Sequence, residues 1–195
     1  MRDYTFFALM ARMKYIERWS LMRNSARENI SEHSMEVAML AHALGVISNE
    51  KCGSNYNPEK LALMGLYHDA NEIITGDLPT PVKYHDEDIN IAYSRVEDVA
   101  SEELLNKLPD YMRPYYEPLF FPRDDDKDCW KIVKAADKLS ALIKCIEEEK
   151  AGNHEFDTAY LTIEKALVEM DMEEVDIFMN WFLPSYHKTL DELQE

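Results

Sequence analysis

Residues 57–72 of the chain, NPEKLALMGLYHDANE, carry the clearest structural signal in the sequence. Asn57 is a favoured helix N-cap residue, and Pro58 suits the first helical position, where no backbone N–H is needed. One face of this helix collects side chains at spacings of three and four residues, namely Leu61, Met64 and His68. The stretch therefore predicts an amphipathic helix that runs from Pro58 to about Glu72 and presents His68 to a core.

Helical signals recur along the rest of the chain. Asn29 and Glu32 have the spacing of a capping box, which predicts the start of a helix that continues to about residue 49. Apolar stripes predict further helices over about 6–16, 86–108, 126–150, 156–170 and 173–183. The sequence contains only five glycines and neither Asn-Gly nor Asp-Gly, so β-hairpins are not indicated. We therefore predict one all-α domain over residues 1–195, with irregular segments at 75–81 and 109–122.

The composition limits the classes of partner. Asp and Glu outnumber Lys and Arg by 38 to 21, and the net charge of −17 opposes a broad interface with nucleic acid or an anionic membrane. No apolar run approaches the length of a membrane-spanning helix, and the three cysteines show no metal or redox spacing. We therefore expect a cytoplasmic protein with neither a membrane nor a nucleic-acid polymer as partner. A small phosphorylated ligand remains compatible with one basic cluster, formed by Arg12, Lys14, Arg18, Arg23 and Arg27.

Three titratable residues lie close together in the sequence beside the apolar stripe of the helix predicted from Pro58 to about Glu72. Glu72 follows His68 by four residues and Asp69 by three, so the three side chains share one face or adjoining faces. Such a cluster is costly unless a partner, for example a divalent cation, compensates it. A hydrogen-bonded core histidine is the alternative interpretation. A second pair, His85-Asp86, lies in a polar stretch typical of a solvated surface.

Residues from two other helices could complete such a site. Asp137 falls in the apolar stripe of a helix that is apolar on two sides, so we expect it to be buried with a partner. His33 and His42 lie nine residues apart on opposite faces of their helix and cannot serve one site together. On spacing alone, metal binding by His68, Asp69 and Asp137 and a purely structural role both stay open.

The order of these residues resembles a known signature. His33, the pair His68-Asp69 and Asp137 are similar to the H…HD…D pattern of the HD-domain metal-dependent phosphohydrolases. Longer strings resemble the bacterial 5′-deoxynucleotidases of the YfbR type: RWSLMRN at 18–24, ENISEHS at 28–34, GDLPTPVKY at 76–84, KCIEE at 144–148 and AGN at 151–153. The resemblance extends over essentially the whole chain and implies the single-domain helical bundle of the HD-domain proteins.

This resemblance implies a metal-dependent hydrolase. Members of the family remove the phosphate from deoxyribonucleoside 5′-monophosphates and release a deoxyribonucleoside. One divalent cation, cobalt or manganese ahead of other transition metals, would be bound by four residues: His33, His68, Asp69 and Asp137. Glu72 would be the catalytic acid/base that handles the proton of the attacking water, and Arg18 would clamp the phosphate.

The resemblance also implies contacts that hold the nucleoside. Trp19 would exclude a 2′-hydroxyl group by its bulk, although a core tryptophan is the alternative, and Asp77 would accept a hydrogen bond from the 3′-hydroxyl group. The full set of implied substrate contacts is Arg18, Trp19, His33, Asp77, Leu78, Pro79, Thr80 and Asp137. The family further implies a homodimer.

Two other functions stay open at this point. Another HD-domain phosphohydrolase could act on a cyclic nucleotide, an alarmone or an oligonucleotide. A two-metal phosphodiesterase would want further histidine ligands, and no matching context surrounds the remaining histidines, His42, His85, His154 and His187. The other alternative is a non-catalytic acidic helical module that binds a protein partner, but such a module has no reason to keep four ligand positions together with Glu72.

Overall fold

The structure is a computed structural model that describes residues 3–83 and 86–194. In chain order its α-helices are α1 (Phe6–Met10), α2 (Ile30–Lys51), α3 (Pro58–Tyr67), α4 (Glu72–Thr75), α5 (Thr80–Lys83), α6 (Glu87–Leu105), α7 (Arg113–Phe120), α8 (Lys127–Lys150), α9 (Asp157–Val168) and α10 (Glu173–Trp181). Short 3-10 helices lie at Met13–Tyr15, Asp124–Asp126, His154–Phe156 and Leu183–His187.

The described residues contain no β-strand and only an isolated antiparallel bridge between Glu17 and Asn29. The predicted all-α class is therefore confirmed, whereas a single domain over residues 1–195 stays a prediction. Within 3–83 and 86–194, no helix combines the length and the apolar character needed to cross a membrane.

Two helix starts follow from local capping, as the sequence predicts. The Asn29 side chain accepts a hydrogen bond from the Glu32 backbone N–H (3.1 Å), and the Glu32 carboxylate accepts one from the Asn29 N–H (3.2 Å). Asn57 caps α3 by accepting from the backbone N–H of Lys60 (2.9 Å). The predicted bounds of α6, α8, α9 and α10 agree with the observed ones to within three residues.

α2, α3 and α8 pack together around the main core. Fully buried apolar side chains come from all three, including Val37, Leu44, Leu61, Met64 and Leu139. The short connection 52–57 lets the start of α2 lie beside the end of α3. Gly65 allows the two backbones to come close, because a Cβ at this position would lie 3.0 Å from the Cα of Ala38. This approach brings the rings of His33 and His68 to a centroid distance of 5.2 Å.

The helix predicted to reach Glu72 ends at Tyr67 instead. Residues 68–71 form a turn, in which the N–H of Ala70 bonds to the Tyr67 carbonyl (3.0 Å) and the N–H of Glu72 bonds to the Asp69 carbonyl (3.0 Å). Consecutive residues of a straight helix point about 100° apart. The turn therefore allows His68 and Asp69 to point into the same site.

Three further boundaries differ from the sequence prediction. The stripe over 6–16 is divided between α1 and the 3-10 helix Met13–Tyr15. Residues 113–120, predicted to be irregular, form α7, because Pro114 lies in the first helical turn and Leu119 is buried. Residues 80–83 form α5 at the end of the predicted 75–81 loop. His85 lies outside the described residues, while Asp86 caps α6 by accepting from the Ile89 N–H (2.8 Å).

The segment 17–28 has no helix of its own and is held in place by α8. The Glu148 carboxylate is 1% exposed and accepts hydrogen bonds from the Ser25 N–H (2.8 Å), the Asn153 side chain (2.7 Å) and Lys144. Burial alone would raise the pKa of Glu148, but these donors outweigh it and lower the pKa to about 2. A buried carboxylate with this many donors fixes the segment that carries Arg18 and Trp19.

Candidate active site

Four side chains from three parts of the fold meet at one point. His33 comes from the first turn of α2, His68 and Asp69 from the turn after α3, and Asp137 from the middle of α8. One potential ligand atom from each of them lies within 4.8 Å of all the others. His33 Nε2 lies 3.1 Å from Asp137 Oδ1 and 3.4 Å from Asp69 Oδ2, and His68 Nε2 lies 3.0 Å from Asp69 Oδ2. The structure thus brings together the four residues predicted to bind a metal.

The two imidazoles present free nitrogen atoms to this cluster. His68 Nδ1 donates to the carbonyl of Gly65 (2.7 Å), and a carbonyl can only accept, so Nε2 is the ring nitrogen that faces the cluster. Nε2 of His33 and Nε2 of His68 are both buried without a hydrogen-bond partner. Two such nitrogens beside two carboxylates are a donor set that suits a divalent transition metal with positions left for water and phosphate oxygen. These residues therefore fit the cation that the family resemblance implies.

The charges in the cluster are consistent with a cation site. Burial opposes charge on His68, but Asp69 and Asp137 outweigh it and raise the pKa of His68 well above its ordinary value. Burial also opposes charge on both carboxylates, yet the neighbouring imidazoles keep the pKa of Asp69 and of Asp137 well below the usual range. The two carboxylates are therefore ionised at neutral pH, and this charge favours a cation at the same point.

The side chain of Asp137 is more exposed to solvent than its position in an apolar stripe predicts. The side chain is 40% exposed, so the carboxylate is only partly buried and the expectation of full burial is wrong. This exposure leaves the carboxylate accessible to a ligand from solvent. His42 is exposed and takes no part in the cluster, as its helical position predicts.

A second layer of side chains fixes the ring of His33, and sequence reasoning missed it. The Ser140 hydroxyl donates its single proton to Glu36 Oε2 (2.6 Å). It must therefore accept the hydrogen bond that joins it to His33 Nδ1 (3.0 Å). This chain keeps the proton on Nδ1 and leaves Nε2 free. Glu36 lies three residues after His33 and Ser140 three after Asp137, so helical spacing was the signal that could have found them.

Ser140→Ala is expected to weaken metal binding about 10- to 100-fold, because the Nδ1 proton of His33 loses its acceptor. The dissociation constant for Mn²⁺ or Co²⁺ can be measured by competition with a chelating dye. Ser101→Ala, at a buried serine of α6, is the matched control and should leave that constant unchanged. Equal metal affinity in Ser140→Ala and the wild type would contradict the role given to Ser140.

A cavity of about 500 Å³ adjoins Arg18. Its lining comes from the segment 18–22, from the 77–79 loop and from one face of α9: Arg18, Trp19, Ser20, Leu21, Met22, Asp77, Pro79, Thr158, Ala159, Thr162 and Ile163. The charge of Arg18 interacts with Asp69 and Asp137, so this residue of the cavity wall is electrostatically linked to the cluster. The volume is large enough for a small ligand. Sequence reasoning did not find the α9 face, whose residues look like an ordinary helix surface.

The other predicted substrate residues have different positions relative to this cavity. Asp77 and Pro79 line it, while the half-buried Leu78 lies between them in the chain and is not part of the lining among the described residues. Thr80 begins α5 with its backbone. Burial raises the pKa of Asp77, and Arg18 opposes that change.

Glu72 is the first residue of α4 and is 8% exposed. Its Oε2 atom is buried without a hydrogen-bond partner. Burial, reinforced by the nearby charges of Asp69 and Asp77, raises the pKa of Glu72 to about 10. A carboxyl group in this environment can hold a proton at neutral pH, as a general acid must.

Solved structures define the class of protein. An HD-domain phosphohydrolase from Listeria innocua has a similar structure, with a TM-score of 0.83 and 24% sequence identity. The similarity covers 100% of this chain and 93% of the Listeria chain. The HD phosphohydrolase of cyanophage S-2L, solved with dA and one catalytic Zn²⁺ ion, covers 93% of this chain and 96% of its own, with a TM-score of 0.65 and 22% identity. The chain therefore has the HD-domain fold.

Sequence relatives define the family within that class. The model of the YfbR-like 5′-deoxynucleotidases matches residues 5–186. A 5′-deoxynucleotidase from Erwinia tasmaniensis is 48% identical over 190 residues, which cover 97% of this chain and 96% of the relative. The chain belongs to the YfbR-like 5′-deoxynucleotidase family. The family prediction and the predicted class of enzyme, a 5′-deoxynucleotidase, are therefore confirmed.

Proposed function

We propose that this protein is a metal-dependent 5′-deoxynucleotidase that converts deoxyribonucleoside 5′-monophosphates into deoxyribonucleosides and phosphate. The observation that carries the proposal is the cluster of His33, His68, Asp69 and Asp137, in which two imidazole nitrogens have no hydrogen-bond partner. The nearby cavity is lined by Arg18, whose charge interacts with Asp69 and Asp137. A cation and a positive side chain can together stabilise the negative charge of a phosphate monoester. Arg18 supplies the second of these, since its planar fork matches a phosphoryl group.

We assign one divalent cation, cobalt or manganese ahead of other transition metals, to His33, His68, Asp69 and Asp137. When bound, it would lower the pKa of a coordinated water and neutralise charge on the phosphoryl oxygens. His33 and Asp137, as ligands, would also lie next to the phosphate. Mixed imidazole and carboxylate ligands support this class of metal.

Glu72 is assigned as the general acid/base. It would take the proton of the attacking water and return it to the 5′-oxygen of the leaving deoxyribonucleoside. Its raised pKa supports the second transfer, because a protonated carboxyl group can give its proton to the leaving 5′-oxygen. The buried Oε2 without a partner supports it as well, since that atom has a free position for a proton or a water.

The cavity is assigned to the nucleoside. Asp77 would accept a hydrogen bond from the 3′-hydroxyl group, and the loop of Leu78, Pro79 and Thr80 would close one side of the pocket. Trp19 would contact the sugar from the other side. Its backbone lies in the left-handed region, with φ of 57°, which is uncommon for a bulky residue and typical of functional positions.

Phosphate release from a panel of mononucleotides tests the proposal. We expect release from deoxy 5′-monophosphates with Mn²⁺ or Co²⁺, less from ribo 5′-monophosphates and none from 3′-monophosphates. Activity on a cyclic nucleotide or an alarmone in place of these substrates would favour another HD-domain phosphohydrolase. We further propose a single-domain, cytoplasmic homodimer, which the family resemblance and the acidic composition support.

Trp19→Ala is expected to raise ribonucleotide turnover relative to deoxyribonucleotide turnover, because the indole no longer excludes the 2′-hydroxyl group. The ratio of kcat/KM for dAMP and AMP measures this, and bound metal should not change. Trp181→Ala is the matched control, since that tryptophan on α10 is 61% exposed. If Trp19→Ala only lowers Tm and leaves the ratio untouched, Trp19 is a core residue and the discrimination belongs to Asp77 or the 78–80 loop.

A further inference from the structure

We propose that Glu28 is the positioning residue of the substrate site and that its one carboxylate orients both Arg18 and Trp19. This inference rests on the function proposed above and deepens it, because it links phosphate binding to sugar selection. Glu28 lies just before α2 in the ENISEHS string, at the end of the segment 17–28. Its carboxylate is hydrogen-bonded to Arg18 and Trp19 and is not one of the four cluster residues, so it would act through its two neighbours.

Both side-chain hydrogen bonds of Glu28 are made by one oxygen atom, while its other oxygen, Oε1, lies 3.9 Å from His33 Nδ1. Its Oε2 accepts a hydrogen bond from the Trp19 indole Nε1 (2.9 Å) and one from the Arg18 guanidinium (3.4 Å). The backbone is tied as well, since the N–H of Arg18 donates to the Glu28 carbonyl (2.9 Å). The side chains of Arg18 and Glu28 are only 12% and 13% exposed. A buried, charge-assisted pair of this kind fixes geometry more strongly than a surface ion pair.

Arg18 needs such a partner because other carboxylates attract it. Asp137, Asp69 and Asp77 all interact with its charge, but the interaction with Glu28 is the strongest of the four. Without Glu28, the guanidinium would turn toward Asp69 and Asp137 and away from the position in which it meets the phosphate. Glu28 therefore keeps Arg18 beside the cluster and leaves the remaining guanidinium N–H groups free for phosphate oxygens.

Trp19 needs the same partner for a different reason. Excluding a hydroxyl group by bulk requires a wall that does not move, and an indole can rotate about two side-chain bonds. The bond to Glu28 fixes the N–H edge of the ring, and an edge contact with Phe156 at a centroid distance of 5.2 Å supports it elsewhere. The Arg18 guanidinium also lies 5.8 Å from the centre of the indole ring. The phosphate clamp and the sugar wall therefore share a single support.

Two substitutions at Glu28 separate these effects. Glu28→Ala removes both hydrogen bonds, so we expect KM for dAMP to rise about 10- to 100-fold, as for loss of charge-assisted hydrogen bonds. The dAMP:AMP ratio of kcat/KM should fall toward one in the same variant. Glu28→Gln keeps a carbonyl oxygen for the Trp19 indole but loses the charge that holds Arg18. It should raise KM while preserving most of the dAMP:AMP ratio.

Kinetics with dAMP and AMP, together with bound metal and Tm, test the inference in the full chain. Glu17→Ala is the matched control, because Glu17 is a glutamate of the same segment that pairs with Arg27 at the exposed surface, and it should leave every parameter unchanged. Unchanged KM and an unchanged dAMP:AMP ratio in Glu28→Ala would overturn the inference, as would a loss of kcat that only follows loss of metal. If the wild type itself releases no phosphate from any mononucleotide, the proposed function fails, and the inference about Glu28 fails with it.

Discussion

Asp137→Ala is expected to abolish phosphate release and metal binding together while helical content stays nearly unchanged. The carboxylate is one of four groups in the cluster, with Oδ1 3.1 Å from His33 Nε2, and alanine offers no ligand atom in its place. The fold does not depend on this group, because α8 is held by fully buried apolar residues such as Leu139 and Leu142. Since 40% of the Asp137 side chain is exposed, its removal leaves no closed cavity in the core.

The measurement combines elemental analysis of the purified protein, circular dichroism and phosphate release with added Mn²⁺ or Co²⁺. Asp128→Ala is the matched control, because Asp128 lies on the same helix and pairs with Lys131 at the surface. The control should keep metal, helical content and activity. Full activity of Asp137→Ala would remove Asp137 from the ligand set, and loss of helical content would give it a structural role instead.

Local sequence was sufficient to predict the helix starts. Asn29 and Asn57 each use their own side chain to satisfy a backbone N–H three residues later, so the signal and the structure lie in the same short segment. The missed boundaries have a different origin. The chain leaves α3 at Tyr67 within an unbroken helical pattern, because the packing of α3 against α2 turns His68 and Asp69 toward one point.

The site was predictable only where a residue acts directly. A histidine or carboxylate in an apolar stripe stands out by type, and the resemblance then gave the order of His33, His68-Asp69 and Asp137. The exposure of Asp137 could not be predicted, because it depends on which neighbouring elements cover the side chain and not on its own helix.

Supporting residues were harder to find, because their roles exist only across helices. Ser140 and Glu36 lie on α8 and α2, and only the packing of these helices brings their side chains to 2.6 Å. Ser and Glu are also common on helix surfaces, so neither type is a signal by itself. The same holds for the α9 wall of the cavity, where Thr158 and Thr162 have no unusual chemistry.

Glu72→Ala is expected to keep the metal and to bind nucleotide with nearly unchanged affinity, while kcat falls by ~10²–10⁴. The four ligand side chains and Arg18 remain in place, so neither binding event loses a contact. The loss falls on turnover alone, because the carboxyl group that would move the proton is gone. A positioned acid/base matters in this reaction, since hydrolysis of phosphate monoesters is among the slowest uncatalysed reactions known.

The kinetic constants for dAMP, bound metal and the pH dependence of kcat/KM should be measured on Glu72→Ala, on the isosteric Glu72→Gln and on Glu59→Ala. Glu59 is the matched control, because it is an exposed glutamate in the first turn of the neighbouring helix α3. Glu72→Gln should lose turnover as Glu72→Ala does, since an amide has the shape of the carboxyl group but cannot transfer its proton. Both should also lose the limb of the pH profile that belongs to this group. If Glu72→Ala loses metal along with turnover, Glu72 is a ligand or a support of the ligands, and the proton must be moved by another group.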